Sequence, residues 1–85
     1  MKMIVCSIKD RAADTFGRPF FLPSIGVAVR SFTSEVNRMS EDNQMYQHPD
    51  DFDLYELGSF VDEVGRFELL DDPRLVTRGK DVKTS

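Results

Sequence analysis

Along residues 2–9, KMIVCSIK, apolar positions alternate: Ile4, Cys6 and Ile8 fall on one side and Met3, Val5 and Ser7 on the other, the period-two signature of a β-strand. The following DRAADTFG carries Asp10, Asp14 and Gly17, which favour turns through side-chain hydrogen bonds or a permissive backbone. RPFFL is short and aromatic. Pro19 has no N–H to give to a ladder, so a second strand begins at the proline or lies at a sheet edge. In PSIGVAVRSFTSEVNRMSED the period changes: Ile25, Val29, Phe32, Val36 and Met39 recur at spacings of three and four, one stripe of an amphipathic helix. Ser24 is placed to cap its first turn, and the polar SEDNQMYQHP predicts fraying by Ser40. Gly26, Val27 and Val29 are indifferent helix formers, so this helix depends on packing against a sheet.

Pro49 restricts His48 to extended angles, and beyond it DDFDLYELGSFVDEVGRFELL predicts two strands about a turn at 62–65, with Gly65 in the left-handed position. The first of them has apolar residues on both sides, Phe52, Leu54 and Phe60 on one and Tyr55, Leu57 and Val61 on the other. Such a strand is central, bulged near Gly58, or covered by a partner chain. A short fifth strand fits 74–77, and residues 79–85 read as a mobile polar tail after a single domain of 1–78. This order predicts an α+β fold in two layers, one helix packed on an antiparallel sheet of about four strands. One helix covers one face. Met3, Val5, Phe21, Tyr55, Leu57 and Val61 are then left on the other, an expected interface and a reason to expect a homodimer.

Composition narrows the picture without changing it. Eighty-five residues, 40% of them hydrophobic, suffice for one domain, and a second is not expected within them. The longest apolar runs, MIV and FFL, are far short of the ~20 residues that cross a bilayer, and no signal-peptide hydrophobic region is visible, so a cytoplasmic protein with no membrane partner is expected. A single cysteine, Cys6, excludes an internal disulfide and a thiolate-rich zinc site; between Ile4 and Ile8 it reads as a small buried hydrophobe. The net charge of -4 disfavours nucleic acid, but its distribution is uneven: residues 1–38 carry six basic and three acidic groups, residues 41–72 eleven acids and Arg66, and residues 73–85 four basic groups and Asp81. A chain charged +3, -10 and +3 can fold with one basic face, or its ends can simply neutralise its middle.

The stretch HPDDFDLYELGSF, 48–60, holds the only histidine beside Asp50, Asp51, Asp53 and Glu56, and so invites a reading as a site. A lone imidazole with no thiolate partner does not suit zinc, and DDFDLYE lacks the internal glycine of a calcium loop. Asp51 and Asp53 as a general acid–base pair are outweighed by their reading as ordinary strand carboxylates. The segment reads instead as a connector into a strand, with Phe52 and Leu54 directed to the core. No phosphate loop, nucleophile elbow or Cys–His arrangement occurs, so no catalytic residue, metal or cofactor is expected, and the chain reads as non-enzymatic.

RPFF, VAVRSFTSEVN, HPDDFDLYELGSFVDEVG and a late PRLV, in this order after an N-terminal strand, resemble the small non-structural protein of gokushoviruses, tailless single-stranded DNA phages of the Microviridae. The resemblance spans about residues 3–82. It implies an early non-capsid protein in the cytoplasm of an infected bacterial host, acting in the switch to single-strand synthesis and genome packaging, and it brings no catalytic residues. Two function classes follow. In one the chain binds single-stranded DNA, with Phe20, Phe21 and Tyr55 stacking bases and Lys2, Lys9, Arg11, Arg18, Arg74 and Arg78 holding phosphates. In the other it is a dimeric interaction module for a phage replication or capsid protein or a host factor, with no nucleic-acid contact.

Overall fold

The alternating N-terminal segment forms β1 (Lys2–Asp10), which the computed structural model, describing residues 1–84, places inside a five-stranded antiparallel sheet. Two short strands, β2 (Thr15–Phe16) and β3 (Phe20–Leu22), pair with one side of β1. Strand β4 (Phe52–Val61) pairs with its other side and carries β5 (Arg66–Arg78) beyond it. The helix α1 (Ile25–Val36) packs on one face of this sheet, so the α+β reading holds. Two four-residue helices, α2 (Gln44–Gln47) and α3 (Gly79–Val82), and a 3-10 turn at Pro49–Asp51 complete the elements of the described residues.

Ser24 starts α1 as its sequence position suggests: it is extended, and its Oγ accepts the Val27 N–H at 3.3 Å, a cap worth about 1 kcal/mol. The buried face of α1, Ala28, Phe32 and Val36, meets Cys6 of β1 and Leu54 of β4 to make the core. Ile4, Ile8, Phe20 and Leu22 pack around it. Met39 does not continue the stripe: the helix ends at Val36 and Met39 is 80% exposed. Two asparagines end it. Asn37 Nδ2 donates to Thr33 O at 2.9 Å, and Asn43 Nδ2 donates to Glu35 O at 2.7 Å and Arg38 O at 2.9 Å, satisfying carbonyls that a helix terminus leaves open.

Strand β4 reads as apolar on both sides because it is bulged. Cys6 lies opposite Glu56 while Val5 lies opposite Gly58, so Leu57 is an extra residue in β4. The insertion shifts the alternation by one. Leu54 faces the helix, but Phe60, opposite Met3, lies on the open face, whereas the sequence pattern put it with Phe52 and Leu54. Val61, expected on the open face, lies opposite Lys2 and so on the side of Ile4. Strand β5 absorbs the separate fifth strand expected at 74–77: its register jumps from Leu69 opposite Gly58 to Arg74 opposite Glu56, leaving Leu70, Asp71, Asp72 and Pro73 as a wide bulge.

The chain after Arg78, read from sequence as a mobile polar tail, forms α3 and packs on the body of the fold. Asn37 Nδ2 donates to Val82 O at 2.9 Å and Asn37 Oδ1 accepts from the N–H and Oγ1 of Thr84 at 2.8 and 3.0 Å, while Val82 reaches the core. Gly79 is buried against the Pro49 and Phe52 carbonyls, where a Cβ would have no room. Ser85, the last residue of that tail, lies outside the described residues.

Gly58 has φ of +152°, and a Cβ there would overlap the Glu68 carbonyl oxygen and come 2.7 Å from Leu69 Cα. Gly58→Ala is expected to cost about 2–3 kcal/mol, lowering Tm by roughly 10–20 °C; an unchanged melting curve would show that the bulge relaxes freely. Burial, reinforced by the Glu56 carboxylate, pushes the Cys6 thiol above its ordinary value. Its contribution to stability is therefore complete below the unfolded thiol's value of about 8.5 and is lost as pH rises through the folded one. A thiol reagent should label Cys6 only at the rate at which the chain unfolds, and Cys6→Ala should flatten the alkaline loss of stability.

Candidate interaction surface

The face of the sheet opposite α1 is carpeted by rings. Phe21 is carried there by β3 opposite Val5, Phe60 by the shifted end of β4, and Phe67 by β5 opposite Phe60. Their centroids lie 5.8 Å (Phe21–Phe60), 5.0 Å (Phe60–Phe67) and 6.2 Å (Phe21–Phe67) apart. A second pair, Phe16 and Tyr55, meets edge to face at 5.2 Å. Leu69 and Leu75 of β5 lie on the same face, opposite Gly58 and Tyr55. Met3 and Tyr55 are half-buried there and Val5 is buried beneath its neighbours. The exposed members are large: Phe21 at 44%, Phe67 at 55% and Leu69 at 66%.

Of the six residues expected to form the interface, the structure brings Met3, Val5, Phe21 and Tyr55 to this face; Val61 is on the other side and Leu57 is the extra residue of the bulge. Phe16, Phe60, Phe67, Leu69 and Leu75 belong to it and were not legible as such. The alternation of RFELL gave a sign of Phe67 and Leu69, but which side they take depends on the Leu57 bulge.

The predicted phosphate-binding cations are not gathered on one face. Lys2 pairs with Glu68 at 3.0 Å, Lys9 with Asp14 at 3.4 Å while lying 5.5 Å from the Phe16 ring centre, and Arg74 pairs with Glu56. Arg11 and Arg78 converge on one carboxylate, Asp53, at 3.6 and 3.1 Å. Arg18 is exposed and has no acidic partner among the described residues. Phe20 lies on the helix face, opposite Cys6, packed against the core, so it is not presented beside Phe21. At the far end of the sheet the N-terminal ammonium is held by Asp62 and by Glu63 at 3.0 Å, which raises its pKa, Asp62 contributing most.

The His48–Phe60 stretch is a connector and a strand. His48 is exposed and ends α2, and no group of three or more His, Cys, Asp or Glu among the described residues is placed to hold a metal. Its one unusual acid is Asp53, buried to 1% exposure. Asp53 Oδ2 accepts from Arg78 Nη1, whereas Oδ1 has no hydrogen-bond partner among the described residues. The loop after β1 closes over this point, with the Arg11 N–H donating to Asp51 O at 2.7 Å. Asp53 thus clasps the β1–β2 loop and the end of β5 to the start of β4.

A two-layer sheet with one covered and one aromatic face, and no pocket among the described residues, defines a small protein whose distinctive feature is a surface. Residues 3–82 match the family model described as Phage ORF5 protein, and the chain belongs to that family. It is similar to Protein ORF5 of Chlamydia phage 1, a gokushovirus, with 34% identity over 73 residues covering 84% of this chain and 76% of that protein. No solved structure matches the chain.

Removing Asp53 leaves two guanidiniums facing a buried site without their common partner. Asp53→Ala is expected to destabilise the fold by about 2 kcal/mol, discounted from the cost of breaking a fully buried pair because both arginines reach solvent. Chemical denaturation measures this, and a loss below about 0.5 kcal/mol would reduce the clasp to an ordinary surface pair.

Proposed function

We propose that this phage protein is non-enzymatic and works by docking its open aromatic face onto a protein surface in the cytoplasm of the infected host. The observation that carries the reading is the cluster of Phe21, Phe60 and Phe67 beside cations that are already paired. The exposed rings stand together on one face, while Lys2, Arg11, Arg74 and Arg78 are each engaged by an acid of the same chain. Apolar, aromatic-rich patches with little charge at their centre are the usual core of a protein interface. The stage of infection is the one the gokushovirus resemblance implies, single-stranded genome synthesis or packaging, with a phage replication or capsid protein or a host factor nearby.

A second reading has its own support: rings on an open sheet face can stack bases, with Arg18 free to meet a phosphate. Titration with a single-stranded oligonucleotide separates the two. Under the docking reading no binding is expected at moderate salt, and an affinity that is strong at low salt and falls steeply as salt rises would replace it with the nucleic-acid reading. A phage genome carrying Phe67→Asp should give a sharply reduced yield of infectious particles while the protein accumulates and melts normally; a wild-type yield would remove the face from function.

A further inference from the structure

We infer that the open face is covered by a second copy of this chain, stacked sheet to sheet about a two-fold axis; this rests on the docking reading and names its occupant. The first argument is area. With aromatic side chains presenting roughly 150–250 Å² each, the exposed fractions of Phe16, Phe21, Phe67, Leu69 and Leu75 amount to an apolar patch on the order of 500 Å². A stable interface removes about 800 Å² per partner, which this patch reaches once the half-buried Met3, Tyr55 and Phe60 and a polar rim are included.

The second argument is that the edges are guarded and the face is not. On one edge β2 and β3 are two and three residues long, with Pro19 between them and Pro23 after them. On the other, β5 is broken by its bulge, which carries Asp71 and Asp72 and ends at Pro73. Short strands, bulges, charges and prolines are the features that stop strands adding edge to edge. They leave face-to-face stacking, at a separation of about 10 Å, as the way for this sheet to complete itself.

The third argument is charge. Two chains of net charge -4 repel, yet Glu56, opposite Cys6, and Glu68, opposite Ser59, lie on the helix side, and Asp53, opposite Lys9 on the open side, is buried and paired with Arg78. Lys9 and Arg78 share the open face, but at its Phe16 end, where Lys9 pairs with Asp14 and Arg78 with Asp53, so two copies of the Phe21–Phe60–Phe67 cluster at the other end meet ring to ring. Shape agrees as well. The molecule measures 42 × 23 × 20 Å with a radius of gyration of 13.3 Å, above the about 12 Å of a compact chain of this length, because the β4–β5 hairpin, exposed along 66–75, extends beyond the helix.

Light scattering and sedimentation of the full chain across a wide concentration range test this. The expected mass is twice 9.7 kDa, with the dimer strengthening as salt screens the net charges, a trend opposite to that of nucleic-acid binding. Phe67→Asp and, independently, Leu69→Glu should give monomers at concentrations where the unaltered chain is dimeric, with folding checked by melting; Asp72→Lys on the edge should leave the mass unchanged. A monomer up to about 1 mM overturns the inference, as does a dimer broken by the edge variant and not by the face variants. If the chain is monomeric and phage yield still depends on Phe67, self-pairing fails while docking on another protein stands. If yield ignores Phe67 and the dimer forms, the pairing stands and the functional reading fails.

Discussion

Phe32 and Val36 of α1 pressing on Cys6 and Leu54 is the contact from which the rest of this structure follows. Among the described residues one helix is long enough to cover a sheet, and its twelve residues rise about 18 Å, enough to span the middle of one face. Everything apolar on the far side of β1, β4 and β5 is then without cover from the chain's own helices. The ring cluster is the consequence of that shortage.

The bulge at Leu57 determines what the bare side is made of. Without the extra residue, Phe60 would turn toward the helix layer and the three-ring cluster would lose its middle member. Glycine at 58 allows the bulge because the backbone of β5 comes too close for any Cβ. A local backbone constraint thus selects the chemistry of a surface two strands wide.

Charge plays the complementary part. The basic ends and the acidic middle of the chain neutralise each other in cross-strand and loop contacts: Lys2 with Glu68, Arg74 with Glu56, Arg11 and Arg78 with Asp53. Most of these pairs are exposed and individually weak, so they tune the fold more than they hold it. Asp53 differs because it is buried, and it draws two arginines inward that would otherwise be available to a phosphate.

Short-range pattern was enough for the elements that depend on neighbours in the chain. The strand of residues 2–9, the Ser24 cap, the helical stripe through Val36 and the turn before Gly65 all rest on periods of two or about four and on local hydrogen bonds. The sequence therefore determined the α+β class and the existence of an uncovered face. It did not reveal that Asn37 ties the last turn of α1 to Val82 and Thr84, that β5 runs through Pro73 by bulging, or that Phe60 and Val61 exchange sides. Those outcomes depend on registers and contacts between residues far apart in the chain, and a single inserted residue reverses them because a strand's side chains alternate with a period of two. Which residues form the bare face was decided only when β1, β4 and β5 came together.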